Sequence, residues 1–324
     1  MKLPSSEPTL EPSDFHPVDL HVHTPASKDY RGEDTDDEYI RLLKRAHEQG
    51  VRVIAVGDHN TFGGYEHLVQ LKRDFERDVH SLQRYAESPE AVKELTGKLD
   101  LFSNLLILPS VELEIKPGVH MIFVFDNGRP MEQLQRFLQD AGVSRDDEGR
   151  EILTKVLAWD IESAMRNAAD LGGITLAAHA DSDKGIYNTL RGSYRASVFR
   201  SEYLYAVCFN NPRQKDIMKS ILRQKEYRRA TGLSFIQVSD FHGSGDTIGK
   251  GHPYIKLSAI DFDSLKTALR NPDECVSWPE KPETMAILEG VIAEPGNVRL
   301  PSLSTDEEKK QFAHAVCAFS NCAD

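Results

Sequence analysis

Cysteine is scarce. The 324 residues contain four, Cys208, Cys275, Cys317 and Cys322, with no C-x-x-C pair among them. That spacing excludes a thiolate zinc module and a disulfide framework, and it fits a reducing cytoplasm. Long apolar runs are also missing: no stretch approaches the ~20 residues needed to cross a bilayer, so no membrane partner is expected. The amino terminus, MKLPSSEPTLEPSDFHP, lacks the charged-then-apolar order of an export signal, and its proline and polar content predicts a flexible leader over 1–13. Positive charge is in deficit, with 39 Lys and Arg against 51 Asp and Glu and a formal net charge of -12. This balance excludes a protein that coats nucleic acid by bulk positive charge. It leaves room for an enzyme acting on nucleic acid, because carboxylates gathered at a cation site or on solvated helices enter the same sum.

What is present is a rhythm. About 40% of the side chains are apolar, enough for one large α/β domain plus an appendage. From Val18 to Leu269, short β-rich runs alternate with amphipathic helical patterns, the signature of βα units in a parallel sheet or barrel. The predicted strands are VDLHVH at 18–23, VRVIAV at 51–56, NLLILPSVEL from 104, HMIFVF from 120, GITLAAH from 173, YLYAVCF from 203, LSFIQVSD from 233 and YIKLS from 254. Between the first two, Tyr39, Leu42, Leu43 and Ala46 fall at helical spacing and Gly50 ends the pattern. Two connections are long: 62–102, mostly helical, and 144–173, an acidic loop with one or two helices. Insertions on this side of a barrel shape access to its mouth.

Histidines and carboxylates recur where the predicted strands end. Asp19, His21 and His23 lie in the first, Asp58 and His59 follow the second, and Glu112 follows the third. His120 opens the fourth, His179 ends the fifth, and Asp240 and His242 end the SFIQVSD strand. In a barrel these ends converge on one mouth. Side chains at i and i+2 of a strand share a face, so His21 and His23 suit one cation while Asp19 orients an imidazole from behind. A lone His-x-His is more often incidental, DHN at 58–60 also reads as a turn and cap, and PSVE at 109–112 also reads as a plain strand end. Five strand ends each delivering such a group favour a metal site. His16, His47, His67, His80, His252 and His314 follow no such pattern and are expected to be surface or structural.

The ordered motifs DLHVHTPAS, VGDHNT, SVELEI, HMIFVF, AAHAD and VSDFHG resemble the PHP (polymerase and histidinol phosphatase) superfamily over residues 14–280. The resemblance implies a distorted (β/α)7 TIM-like barrel, with a C-terminal extension over 281–324, that binds two or three divalent metal ions (zinc, manganese or iron) and hydrolyses phosphoesters. Carried onto this chain, it implies one metal on His21, His23, Glu112 and Asp240, and a second on Glu112, His120 and His179. A third falls to His59, His242 and Asp29, where many relatives have histidine in place of Asp29. His179 is followed by Ala180 and Asp181 where proline is usual. In such a site metal-bound water attacks the phosphorus; Asp58 or His59 would assist proton transfer, unless they are structural or ligating, and Glu112 would bridge two metals. Lys184, Arg191, Arg195 and Lys250, near the mouth in sequence, are candidate phosphate ligands with an equal claim as ordinary surface cations.

The segment SDFHGSGDTIGKGHPYIKLSAIDFDSLKTALRNPD resembles the close of PHP domains fused to an ATPase or another nucleic-acid-linked module. STDEEKKQFAHAVCAFSNCAD, 304–324, resembles the opening helix of a Schlafen-AlbA domain, and a terminal helix docking on the barrel explains it equally well. The expected function is therefore a metal-dependent phosphodiesterase or nuclease acting on DNA or RNA, alone or as an oligomer. A small-molecule phosphatase of the histidinol-phosphate type and a non-catalytic metal-binding scaffold remain as alternatives. A C–N hydrolase on a related barrel fits less well, since it does not predict the separate Asp58–His59 and Asp240–His242 pairs.

Overall fold

In the computed structural model the described residues are 15–84, 88–153, 155, 157–209, 223–249, 251 and 253–277. They contain nine strands in one sheet, in the order β7-β6-β5-β4-β3-β2-β1-β8-β9. The strands are β1 (Phe15–Val22), β2 (Val53–His59), β3 (Leu106–Ile115), β4 (Val119–Val124), β5 (Ile174–Ala177), β6 (Leu204–Phe209), β7 (Ser234–Gln237), β8 (Tyr254–Lys256) and β9 (Val276–Ser277). The helices flanking β1 to β6 are α1 (Asp36–Glu48), α2 (Gly63–Arg84), α3 (Pro89–Ser103), α4 (Met131–Ala141), α5 (Ile161–Asp170), α6 (Ile186–Thr189) and α7 (Gly192–Arg200). Helix α8 (Phe262–Arg270) and the short α9 (Pro272–Cys275) follow β8. The sheet curls into a nearly closed TIM-like barrel. Its ends meet at the mouth, where Val22 bridges Phe241 and the His23 N–H donates to the Phe241 carbonyl at 2.9 Å.

Three apolar clusters follow the strand alternation. Val18, Leu20, Val53, Ala55, Leu108 and Ile122 belong to an interior cluster that Phe262 and Leu265 of α8 also join. Ile54 and Val56 face outward against Leu42, Leu43 and Leu68 of α1 and α2, and Val111, Met121 and Phe123 face outward against Phe137 of α4 and Met165 of α5. Tyr39, Leu42, Leu43 and Ala46 are buried on α1 as their spacing predicts, and the 62–102 connection is the helical pair α2 and α3.

Two departures from the predicted sheet shape the site. The first is β4, which runs antiparallel to β3 and β5. Only three residues separate β3 from β4, far short of the dozen or so that a parallel crossover needs. Strand β8 is likewise antiparallel, on the outer edge of β1. The second departure is in β1, whose pairing with β2 shifts between Asp19 and Val22. This extra residue changes the phase of the strand: Val18 and Leu20 join the interior, whereas Val22 joins the outer cluster. His21 and His23, flanking Val22, therefore point inward, and Asp19 does not share their face as plain alternation implied.

The start of α2 is tightly seated. A Cβ built on Gly64 would run into Thr24 Oγ1 and Asp58 Oδ2, both side chains of the mouth loops. Gly64→Ala is expected to lower stability by ~1–3 kcal/mol, read as a drop in denaturant midpoint.

Candidate metal centre

Glu112 is the hub. It is buried at the mouth end of β3, and five imidazoles surround it. Its Oε1 lies 3.0 Å from His120 Nδ1 and 3.1 Å from His179 Nε2. Its Oε2 lies 3.1 Å from His59 Nδ1, 3.3 Å from His21 Nε2 and 3.5 Å from His23 Nε2. Asp240 Oδ1 approaches His21 Nδ1 at 3.5 Å and His23 Nε2 at 3.8 Å. At the exposed rim, Asp29 Oδ2 sits 3.3 Å from His59 Nε2 and 3.2 Å from His242 Nε2. Every ligand position that the sequence singled out thus arrives at one mouth, His120 because antiparallel β4 begins there.

The donor atoms form three groups, two of which share His23: His21 with His23 and Asp240, Glu112 with His120 and His179, and His23 with His59 and His242. Within each group they lie within 4.8 Å of one another. At the centre, His21 Nδ1 and Asp240 Oδ1 are buried without a hydrogen-bond partner. Buried polar atoms without partners are costly, and so many converging lone pairs suit a divalent cation with mixed imidazole and carboxylate ligation. The backbone carries strain at the same place. Asn60, His179 and Asp240 all hold positive φ, at 56°, 22° and 51°, the pattern expected where surroundings force functional side chains into position.

Partners missed by the sequence reading set the imidazole orientations. Ser27 donates to Asp58 Oδ1 at 2.8 Å and meets His23 Nδ1 at 2.9 Å. With its hydrogen spent on Asp58, Ser27 accepts from His23 Nδ1–H, which leaves His23 Nε2 as a lone pair facing inward. Ser182 stands 2.7 Å from His179 Nδ1, and the Asp240 carbonyl 2.9 Å from His242 Nδ1. The carbonyl, which can only accept, directs His242 Nε2 inward in the same way. Single hydroxyls carry no sequence signal for this role.

Asp58 is fully buried and accepts from Thr24 N–H at 2.7 Å and Thr24 Oγ1 at 2.8 Å as well as from Ser27. Its carboxylate clamps the 24–27 loop. Burial raises its pKa to about 6 against those hydrogen bonds. Asp19 is also buried, and it accepts from the backbone N–H groups of Gly249 at 2.6 Å and Ser239 at 3.2 Å. It therefore anchors the segment that carries Asp240 and His242 and touches no imidazole.

The electrostatics follow from the crowding. Burial alone would lower His59 and His120 and raise Glu112; their mutual attraction outweighs it. His59, between Glu112 and Asp29, is held up at about 10, and His120 at about 9. Glu112 is pushed well below the usual carboxylate range. For His23 burial wins, helped by the charges of His59 and His242, and its pKa falls to about 3.

The phosphate candidates separate. Lys184 donates to Glu114 and Glu151, both at 2.9 Å, so two carboxylates already neutralise it. Arg191 donates to the Leu190 and Tyr187 carbonyls, and Arg195 to the Tyr227 hydroxyl at 3.0 Å, with its guanidinium over the Tyr187 ring. Lys184 borders the hub, since its carbonyl accepts the His120 N–H at 3.0 Å and Glu114 joins its ammonium to His120, whereas Arg191 and Arg195 bond to none of the hub residues; Lys250 lies outside the described residues. Of the remaining histidines, His47 and His80 are exposed, and His67 pairs with Asp36 while stacking on Tyr39.

Glu114 was not foreseen. Its Oε2 lies 3.5 Å from His120 Nε2, an ion-pair distance, on the side away from Glu112. Contact with His120, then Lys184, holds Glu114 at a pKa of about 2. A carboxylate behind a ligand imidazole raises its basicity. Glu114→Gln is expected to weaken divalent-cation binding by the Glu112–His120–His179 group by ~10–100-fold, measured by titration against a chelator of known affinity. Unchanged affinity would make the contact incidental.

No protein-family model matches the chain, and no curated protein is similar to it. Solved structures do match. A complex of Endonuclease Q with a 27-mer duplex bearing an abasic lesion at its active site superposes with a TM-score of 0.54 at 15% identity, over 79% of this chain and 57% of that one. The chain shares the barrel fold of the matched part of that structure. It spans little more than half of the Endonuclease Q chain. A metal-dependent phosphoesterase of Bifidobacterium adolescentis gives a TM-score of 0.45 at 16% identity, over 78% of this chain and 95% of that one. A two-domain protein of Bacteroides vulgatus containing a PHP-like phosphoesterase gives 0.44 at 15%, over 80% and 64%.

Proposed function

We propose that this barrel is a metal-dependent phosphoesterase that cuts phosphodiesters in nucleic acid. The observation that carries the reading is the set of three donor groups meeting at Glu112. His21, His23 and Asp240 would hold one cation and Glu112, His120 and His179 a second, with Glu112 shared. His59, His242 and Asp29 would hold a third, at the exposed rim. Bound cations would supply Lewis acidity toward the phosphoryl oxygens and a water acidified toward neutrality.

The chain's own groups do the rest. Ser27 and the Asp240 carbonyl hold Nδ1 protons on His23 and His242, keeping each Nε2 free to ligate. Asp58 acts through the loop it clamps and is a positioning residue. His59, the other sequence candidate for proton transfer, would instead serve as a ligand, its Nδ1 and Nε2 lying 3.1 and 3.3 Å from Glu112 and Asp29. The preference for a diester in nucleic acid rests on the fold shared with Endonuclease Q, whose structure holds duplex DNA, together with the open rim formed by Asp29 and His242. An association with an ATPase or a Schlafen-AlbA-like module belongs to the same reading; the 304–324 segment that suggested the latter lies outside the described residues, as do the leader and the rest of the 281–324 extension.

The test is metal analysis of the purified protein followed by parallel assays on a phosphomonoester, a phosphodiester, and labelled single- and double-stranded DNA and RNA. Cleavage of nucleic acid is expected, dependent on added manganese, zinc or iron and abolished by chelation. Turnover of the monoester alone would overturn the nuclease assignment, and stoichiometric metal without turnover on any substrate would favour a scaffold.

A further inference from the structure

The barrel carries a second concentration of charge, of opposite sign, at its far end. Strand β7 delivers Asp240 and His242 past its carboxyl end, whereas Gly232 and Leu233, just before its amino end, line a cavity of about 440 Å³. Arg223, Arg228 and Arg229 line it against one carboxylate, Asp273. Arg270 stands directly behind, bonded to the Gly232 carbonyl and to Thr231 Oγ1. In a chain whose acids outnumber its bases by 51 to 39, four arginines gathered around one cavity are conspicuous. Among the described residues, none of the four forms an ion pair with a carboxylate: the hydrogen bonds of Arg229 and Arg270 run to the carbonyls of Phe199, Leu204, Gly232 and Glu202 and to Thr231 Oγ1.

Arg229 is the centre of the arrangement. Both of its terminal nitrogens are anchored, to the Phe199 and Leu204 carbonyls at 2.9 Å, while its Nε is buried and has no partner. Burial and the charge of Arg270 depress its pKa to about 10. A desolvated guanidinium beside another cation, with a donor unspent, is costly without an anion. The rest of the wall is apolar and aromatic, with Phe199, Tyr227, Leu233 and Phe235. The volume lies within the range of small-ligand sites, and planar guanidinium forks match phosphate oxygens.

We propose that this cavity binds a nucleoside monophosphate, its phosphate on Arg229 with Arg223 and Arg228, and its base against the aromatic wall. The site is remote from the metal centre and independent of the reaction proposed there.

The test is thermal unfolding and calorimetric titration of the full chain, stripped of metal with chelator, against adenosine and guanosine monophosphates, inorganic phosphate and adenosine. The expected result is saturable stabilisation by a monophosphate, with affinity at least tenfold above that for inorganic phosphate or adenosine. Arg223→Glu with Arg228→Glu, both exposed and, among the described residues, without a side-chain hydrogen bond or ion pair, is expected to abolish it, and His21→Ala to leave it intact. Arg229→Ala also removes strand-end bonds, so the rim variant decides if that protein fails to fold. No saturable binding at millimolar ligand, equal binding of inorganic phosphate, binding retained in the rim variant, or binding lost in His21→Ala would each overturn the proposal.

Discussion

Replacement of His21 and His23 together by alanine is expected to empty the protein of bound divalent metal and to lower hydrolysis by at least ~10²–10³-fold, the scale set by losing a preorganised electrostatic group. Both imidazoles are fully buried, their Nε2 atoms are 2.9 Å apart, and both reach Glu112 and Asp240. His23 also belongs to two of the three donor groups, so the double variant strips ligands from more than one cation position. The measurement is metal content per chain with turnover on a chromogenic phosphodiester, on protein shown to be folded by circular dichroism. A folded double variant that keeps its metal and its rate would sink the site assignment.

Glu112→Gln is expected to act on the metal-free protein as strongly as on the enzyme. It leaves five buried imidazoles without their common counter-charge, a change of the kind that costs ~3–5 kcal/mol. Without Glu112, only Asp29 on His59 and Glu114 on His120 oppose burial and mutual repulsion, so both histidines should fall from about 10 and about 9. Histidine ring titration by NMR reads this directly. The sign in stability follows. In the wild type both groups are raised above their unfolded value, so their contribution is complete below about pH 6.5 and drains away as pH rises toward 9–10. The metal-free wild type should therefore lose stability across that window, and Glu112→Gln should lose less. Because cations displace these protons, metal binding by the wild type should release protons near neutral pH and tighten as pH rises. Titration values unchanged in Glu112→Gln would remove Glu112 from the hub.

The catalogue of donors was legible without coordinates. A histidine or carboxylate at each of five strand ends identified the mouth of the barrel, and Glu112, His120, His179, Asp240, His242 and Asp29 all arrive there. Asp19 was read as orienting an imidazole and Asp58 as assisting proton transfer, not for the work they do, since a clamp on Thr24 and Ser27 or on the N–H groups of Ser239 and Gly249 depends on partners as many as 230 residues away. Ser27, Ser182 and Glu114 escaped notice because a lone hydroxyl or a second glutamate on a strand has no distinguishing spacing. The Arg229 cavity joins residues from three separate segments, and no local pattern announces it.

Residue order by itself determined the α/β alternation, the helical faces and the inventory of ligands, because periodicity and strand-end position are local properties of the chain. Only the tertiary structure decided the direction of β4, which turns the opening residue of a strand into a mouth residue. It also decided the phase shift in β1 that turns His21 and His23 inward and Asp19 away from them. Both depend on ladder pairing, a contact between strands distant in sequence, and that pairing converts a list of histidines and carboxylates into a centre organised around Glu112.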